Sequence, residues 1–567
     1  MITAEHTMEQ IQAAVDAGGR VEFAPGVYED VHLKIKGPVH LVGYGAVLTG
    51  GKRIRWTEEA DGVLSCEAPM DKPLRELVVG GGLRMRCRLP ETGYLQYETD
   101  FPHRWLGTTK GGWEIKPTDE QMVTMQVKKG GLDGLTLDSA EATIVHSWSD
   151  SLLAVKQVEG DVIVFEQAGD MPIGSFGKRD YCLWNVPEAF HEPGTFFHDV
   201  PGGRLYYRPL PGEDVHTEAY LPQQTSVFYA DTPVENVEIE GFELTATAAP
   251  RVKAGFGAYS LSGAIDMGDV RHGRFHHLTI RAVGGYGIRT TGQLEDVRVD
   301  HCELSDLGAG GLRIGSGRDI GKSVVEDCSV HHTGRYQPSA IGIAASNCHI
   351  RHNEVCHTSY SAINCGGDGF IVEKNLLHDT MEVLNDGAAI YSFGSHDGIM
   401  RGNLAYGIHP VNGQALRIAY YLDEVSSGWL VEGNVAADCD FPNHNHMCGR
   451  HTYRGNLFVN ERGGLRISLQ RSNDPTHYEG NVFSAGGEIV FTMTEGALGR
   501  FEGNRYHSLH GTVVGRVNRE DEILSEAPLE MSGSNRPMDA VHLEKDVRIF
   551  EAAGLKIDLT DVGPRKE

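Results

Sequence analysis

From residue 233 to 510 the chain repeats one pattern of apolar and polar positions. A short alternation of β-branched or apolar residues runs into a turn, and a second short apolar stretch follows. The turn is most regular in Val431-Glu-Gly-Asn-Val435, Tyr453-Arg-Gly-Asn-Leu457 and Tyr478-Glu-Gly-Asn-Val482. The aligned turn residues are Cys302, Cys328, Asn353, Asn375, Asn403, Asn434, Asn456, Asn481 and Asn504, spaced 22 to 31 residues apart. Weaker copies lie around Phe242 and Leu278. No copy contains a helical pattern, and none can bury its apolar face alone, so the copies must stack. A period in the twenties built from short strands predicts an all-β chain, a right-handed parallel β-helix with coils ~4.8 Å apart. The Leu-x-x-Leu-x-Leu signature of leucine-rich repeats is absent. The repeated asparagines are expected to form a buried ladder of amides bonding from coil to coil, with Cys302 and Cys328 in the same slot.

The ends of this pattern predict the remaining organisation. Thr7 and Gln10 form a capping box for a helix with Met8, Ile11 and Val15 on one face, stopped by Gly18-Gly19. Strand-like pieces at Arg20–Ala24, Val31–Ile35 and His40–Val42 follow, so residues 1–56 read as a cap and the first coils. Between 57 and 232 the period is lost, aromatics become denser and hairpin-like alternation appears, as in Thr143-Ile-Val-His-Ser-Trp148. This stretch is expected to be an inserted β-rich, sandwich-like domain. The acidic tail, 511–567, loses the period and is expected to pack along the solenoid.

Composition narrows the function. With 78 Asp+Glu against 51 Lys+Arg the formal charge is −27. No basic stripe exists to neutralise phosphates, which argues against a nucleic-acid partner and, more mildly, against a highly anionic polysaccharide. No apolar run approaches the ~18–20 residues of a membrane-spanning helix. The ten cysteines include no C-x-x-C pair and read as reduced, buried thiols. The N-terminus, Met1-Ile-Thr-Ala-Glu-His6, has no basic region followed by an apolar stretch, so a cytoplasmic location is expected.

In a solenoid, equivalent positions on successive coils stack, so acids distant in sequence can meet. This suits the two-carboxylate chemistry of glycoside hydrolysis, and one coil step is close to the ~5–5.5 Å carboxyl spacing of retaining enzymes. Two acidic segments stand out. One is Leu384-Asn-Asp-Gly-Ala-Ala-Ile-Tyr-Ser-Phe393, with Asp386 before a strand; the other is Leu416-Arg-Ile-Ala-Tyr-Tyr-Leu-Asp-Glu424, with Asp423 and Glu424 at a strand end. Asp386 and Asp423 lie 37 residues apart, on adjacent coils. Asn385-Asp386-Gly387 is also an ordinary turn sequence, and Asp423-Glu424 also suits a solvated strand end. Tyr391, Tyr420 and Tyr421 are candidates for stacking on sugar rings, with strand packing as the alternative. Arg417 is a candidate for a sugar hydroxyl or a carboxylate. His444 and His446, with His451, form a His-rich turn that suits hydroxyl bonding better than metal. Trp105 and Trp113 are a sugar platform if the inserted domain folds over the coils, and otherwise that domain's core.

Tyr420-Tyr-Leu-Asp-Glu-Val-Ser-Ser427 followed by Val431-Glu-Gly-Asn434, and the upstream Asn385-Asp-Gly-Ala-Ala-Ile-Tyr391, resemble parallel β-helix glycoside hydrolases of family 141 and, more distantly, family 120. Leu77-Val-Val-Gly-Gly-Gly-Leu-Arg-Met-Arg-Cys-Arg-Leu-Pro90, Tyr181–Phe197 and Gly203-Arg-Leu-Tyr-Tyr-Arg-Pro209 carry the resemblance into the insertion. The likeness to family 141 implies catalytic carboxylates at Asp386 and Asp423, with Glu424 in reserve. Family 120 implies a nucleophile at Asp423 but takes its acid from the next coil, where Pro442-Asn-His-Asn-His446 offers none. The resemblance implies hydrolysis of plant-type oligo- or polysaccharides, xylosidase-, xylanase- or fucosidase-like.

The expected partner is therefore an oligosaccharide, with no cofactor and no catalytic metal; a structural Ca2+ is compatible with the sequence. The competing functions are a polysaccharide lyase or epimerase, which needs a cation beside a uronate, and a non-catalytic carbohydrate-binding solenoid. Arg401 and Arg417 are the fixed cations within 384–427.

Overall fold

The computed structural model describes residues 1–318, 322–410, 416–472, 474–519, 522–529, 535–542, 549–552 and 555–565. The chain is a right-handed parallel β-helix whose coils each contribute a strand to three faces. The face that matters below carries β1 (Gly263–Met267), β2 (Tyr286–Thr290), β3 (Leu312–Gly317), β4 (Ile343–Ser346), β5 (Ile363–Gly366) and β6 (Gly387–Ser392). It continues with β7 (Arg417–Leu422), β8 (Asn443–His446), β9 (Leu465–Gln470), β10 (Ile489–Thr494) and β11 (Val513–Arg519). Each pairs in parallel with the next. Inward residues such as Ile288, Leu312, Ile343, Ile363, Ile390, Tyr420 and Ile467 are buried in one continuous core.

The asparagine ladder lies at the bend between the other two faces and is satisfied at every rung. Asn403 Oδ1 accepts from the backbone N–H and Nδ2 of Asn375 at 3.0 and 2.9 Å. Asn403 Nδ2 in turn donates to Val372 O and Asn434 Oδ1, both at 2.9 Å. Cys328 occupies the slot with its backbone N–H donating to Asn353 Oδ1 at 3.1 Å. All ten cysteines are free and buried. The helix Met8–Asp16 has its Thr7/Gln10 capping box and buries Ile11 and Val15 against the first coil.

Between Thr49 and Phe228 the chain leaves the solenoid and builds two mainly antiparallel sheets. Each has its own apolar cluster, one around Leu77, Phe196 and Tyr207, the other around Met125, Ile144, Ile163 and Leu183. The solenoid resumes without a gap, because Val39–Val42 pairs directly with Val234–Glu240. The second sheet leans on the coils: Val145 packs with Ile341, Tyr360 and Leu384. Buried Glu141 bonds Arg75, Arg86 and the solenoid's Arg251. Burial opposes its charge, but the three guanidiniums outweigh it and hold the carboxyl far below the usual range.

The tail departs from the expectation that it lies wholly outside the repeat. Val513–Arg519 pairs in parallel with β10, Arg536–Pro537 pairs with Arg505–His507, and Asn535 Oδ1 accepts from Asn504 N–H at 2.9 Å. One further rung is thus present at Asn535, which follows Ser-Gly-Ser in the sequence rather than the apolar alternation of the other copies. Beyond it, Val541, Leu559 and Val562 pack back on Leu376, Leu404 and Val435. No described helix is long and apolar enough to cross a membrane.

Candidate active site

The outer side of the first face forms the floor of a cleft of about 780 Å³. The insertion roofs it with Trp105, Thr108, Trp148 and Met171. One register row runs along the floor: Arg313, Ala344, Asn364, Tyr391, Tyr421 and His444 are successive partners on β3 to β8. Alternation along β7 explains which tyrosine faces out. Tyr420 points into the core, donating to Val435 O at 2.6 Å, and Tyr421 points into the cleft.

Asp386 and Asp423 both line this cleft. They stand on adjacent coils, as expected from the sequence. Asp386 sits just before β6, bonding Leu416 O through its N–H at 2.7 Å, and Asp423 sits just after β7, bonding Ser392 O at 2.8 Å. The register pairs Gly387 with Arg417 and Ser392 with Leu422, so the two acids flank opposite ends of the paired strands. Two tyrosines cross between them. Tyr421 on β7 donates to Asp386 Oδ1 at 3.3 Å, and Tyr391 on β6 donates to Asp423 Oδ2 at 2.7 Å. Their rings meet edge to face, 5.1 Å between centroids. Asp423 Oδ1 also pairs with His446 Nδ1 at 2.9 Å.

The turn that presents Asp386 is left-handed, with φ 58°, a conformation Asp tolerates well. Tyr360 pins it by donating to the Asp386 carbonyl at 2.8 Å, and Asn385 is tied to Ser147 of the insertion through N–H···O at 3.0 Å. Burial raises the Asp386 carboxyl to about 6, and the Asp423 charge adds to the rise. Burial and the two aspartates push the Tyr391 and Tyr421 hydroxyls well up, so both remain donors.

Glu424 is placed differently from the pair. Its carboxylate accepts from Thr108 N–H, Thr109 N–H and Thr109 Oγ1 at 2.8, 2.8 and 2.6 Å. Burial would raise its pKa, but these donors outweigh it and leave it lowered. Gly107, with φ 130°, lets the loop come close: a Cβ there would lie 3.1 Å from Glu424 Oε1. Glu424 thus latches the insertion to the solenoid at the cleft wall.

The remaining expected residues divide. His444 lines the cleft, its ring 4.6 Å from Tyr421, and burial keeps it neutral, with its pKa well down. His446 also lines it, whereas His451 is buried elsewhere, accepting from Trp429 N–H at 3.3 Å. Trp105 lines the roof beside Trp148, 5.5 Å between ring centroids, while Trp113 stands behind it against Phe101 and Phe176. Arg417 does not line the cleft. Its Nη2 donates to the carbonyls of Glu382 and Val383 at 3.4 and 3.2 Å, and burial lowers its pKa to about 10. Among the described residues, one cluster brings three metal-capable donors together: Asp423, Glu424 and His446, within 4.8 Å of one another. Each already has a hydrogen-bond partner. Tyr360, Trp148, Asn364 and Arg313 also line the cleft and carry no signal in the sequence that separates them from core or surface positions.

No family model matches the chain, and no curated protein matches it in sequence. Solved structures do share its architecture. One described as a glycoside hydrolase superposes with a TM-score of 0.63 at 16 % identity, over 83 % of this chain and 90 % of its own. XylC in complex with xylose aligns over 85 % of this chain and 83 % of its own, with a TM-score of 0.42 at 12 % identity. The catalytic unit of a family 87 α-1,3-glucanase from Streptomyces thermodiastaticus aligns over 86 % and 89 %, with a TM-score of 0.34 at 11 % identity. The first of these establishes a shared fold.

Proposed function

We propose that this chain is a glycoside hydrolase acting on an oligo- or polysaccharide with the carboxylate arrangement of family 141. The observation that carries the reading is the crossed pair in the cleft, where each acid is bonded by a tyrosine from the other's coil. Asp386, raised to about 6 by burial and by its neighbour, holds a proton to give. Asp423 has Tyr391 and His446 on its two oxygens, which fix its orientation.

In this reading Asp386 transfers its proton to the glycosidic oxygen as the C–O bond to the anomeric carbon breaks. Asp423 supports displacement at that carbon, by attacking it or by taking a proton from the attacking water. Trp105 and Trp148 offer apolar faces to sugar rings. The cations considered for a lyase do not favour that alternative: Arg401 pairs with Glu432 at 2.7 Å on another face, and Arg417 is held by backbone carbonyls. The test is a panel of aryl glycosides of xylose, fucose, arabinose, galactose and rhamnose in both anomers, together with xylan-type oligosaccharides. Hydrolysis lost in both Asp386→Asn and Asp423→Asn, with circular dichroism unchanged, supports the assignment. Near wild-type turnover in either variant removes that residue, and an unsaturated product absorbing in the ultraviolet replaces hydrolysis with elimination.

A further inference from the structure

The cleft does not end at the acid pair. Its floor continues from Tyr391 over Asn364 and Ala344 to Arg313, each the register partner of the next. Three strand steps of ~4.8 Å place Arg313 about 14 Å along the cleft from Tyr391. The Arg313 guanidinium lies over the Tyr259 ring, 4.5 Å from its centroid, and donates to the Tyr259 carbonyl. Among the described residues no carboxylate pairs with it. The nearby acid, Asp266, is taken by Arg289, whose Nη1 reaches both of its oxygens at 2.9 Å. Two guanidiniums thus stand near one carboxylate that only Arg289 bonds, and burial together with the Arg289 charge lowers the Arg313 pKa. In a chain of formal charge −27 this cleft end carries a local positive excess.

Between this end and the acids stands Asn364, 8 % exposed and lining the cleft; its amide bonds the Tyr259 hydroxyl, and its Oδ1 has no hydrogen-bond partner. Buried amide oxygens are ordinarily satisfied, so an unpaired one on a cleft floor marks a place for a ligand donor. Farther along the cleft Asp386, Asp423 and Glu424 gather, with Arg471 beyond them, so Arg313 is the guanidinium that lines the cleft away from the acids.

We propose that the Arg313 end is a subsite for a uronic acid unit carried on an otherwise neutral oligosaccharide, with Arg313 taking its carboxylate and Asn364 accepting a hydroxyl of the neighbouring sugar. The inference rests on the glycosidase reading for the identity of the ligand, but its binding is measured separately from turnover. A planar guanidinium suits a carboxylate through paired N–H donors. Two guanidiniums, Arg313 and Arg471, line the cleft against three acids, a balance that suits an isolated acidic unit better than a polyuronate.

The test uses the full chain carrying Asp386→Asn and calorimetric titration with glucuronic-acid-substituted xylo-oligosaccharides, galacturonate-terminated neutral oligosaccharides, and the carboxyl-reduced form of each. The expected result is binding about tenfold or more tighter for an acidic member than for its reduced form, a preference that shrinks with added salt. In Arg313→Gln the two affinities converge, and Arg313→Lys keeps part of the difference. Thermal unfolding of both variants reports that they are folded. Equal affinity for acidic and reduced ligands, a preference that survives in Arg313→Gln, or no binding by any acidic member overturns the subsite. Absence of hydrolysis by the unmodified chain, with the acidic preference intact, overturns the glycosidase reading instead.

Discussion

The Tyr391 hydroxyl donates to Asp423 Oδ2 at 2.7 Å, from the strand that Asp386 precedes to the acid that follows the next strand. With Tyr421 reaching back to Asp386, each carboxylate is held by the coil that carries the other. A hydrogen bond to a charged group contributes ~1.5–3 kcal/mol. Tyr391→Phe is therefore expected to lower kcat/KM by about 10- to 100-fold, with the fold retained. Steady-state kinetics on the best aryl glycoside checks this; a change within about twofold means the tie is idle in the reaction.

Asp386 ties activity and stability to pH with opposite signs. Its proton is required, so kcat/KM is expected to fall as pH rises through about 6. Because the folded pKa lies above the ordinary 3.8, ionisation is easier in the unfolded chain. The carboxylate destabilises the fold above about pH 6, and the penalty vanishes below 3.8. Asp386→Asn is expected to be more stable than wild type at pH 7.5 by on the order of 1–3 kcal/mol, with no gain at pH 3.5. Urea unfolding at the two pH values checks the sign; a destabilised variant at pH 7.5 contradicts it.

Glu424 has the reverse linkage. Its carboxyl is depressed by the Thr108–Thr109 donors, so its latch is fully present above its ordinary 4.5 and is lost as pH falls through the lower folded value. Glu424→Gln is expected to raise KM about tenfold with a smaller change in kcat, and to speed proteolytic cleavage within 105–112. A collapse of kcat at unchanged KM would instead place Glu424 in the chemistry.

The ladder predicts a graded cost. Asn434 accepts from Asn403 N–H and Nδ2 and donates to Met400 O and Asn456 Oδ1, all within the core. Asn434→Ala leaves these groups unpaired at ~1–3 kcal/mol each, so a loss of about 3 kcal/mol or more in urea unfolding is expected. Asn434→Cys is expected to cost less, since Cys302 and Cys328 already fill that slot.

The solenoid was legible because from Asn353 to Asn504 successive coils solve the same burial problem with the same residue, and buried amides need hydrogen-bond partners. Asp386 and Asp423 were legible because a turn acid and a strand-end acid flank outward tyrosines on adjacent coils. The crossed tyrosine bonds were not, since they depend on strand register rather than coil count. The Glu424 latch joins residues more than three hundred positions apart, Thr108 to Glu424, and no local pattern announces such a contact. Arg417 reads as an outward strand cation, yet a backbone turn claims it. Asn535 carries no signal in the sequence because Met531-Ser-Gly-Ser534 before it lacks the apolar alternation of the other copies.

The unbroken junction at Val39–Val42 and Val234–Glu240 has an evolutionary consequence. A module of well over a hundred residues leaves and re-enters the coil stack at one seam without disturbing the neighbours on either side. The ceiling of the cleft can therefore differ in length and shape wherever it keeps the Ser147–Asn385 and Thr108–Glu424 ties, because those two contacts reach the turn and the strand end that carry the acids of the floor.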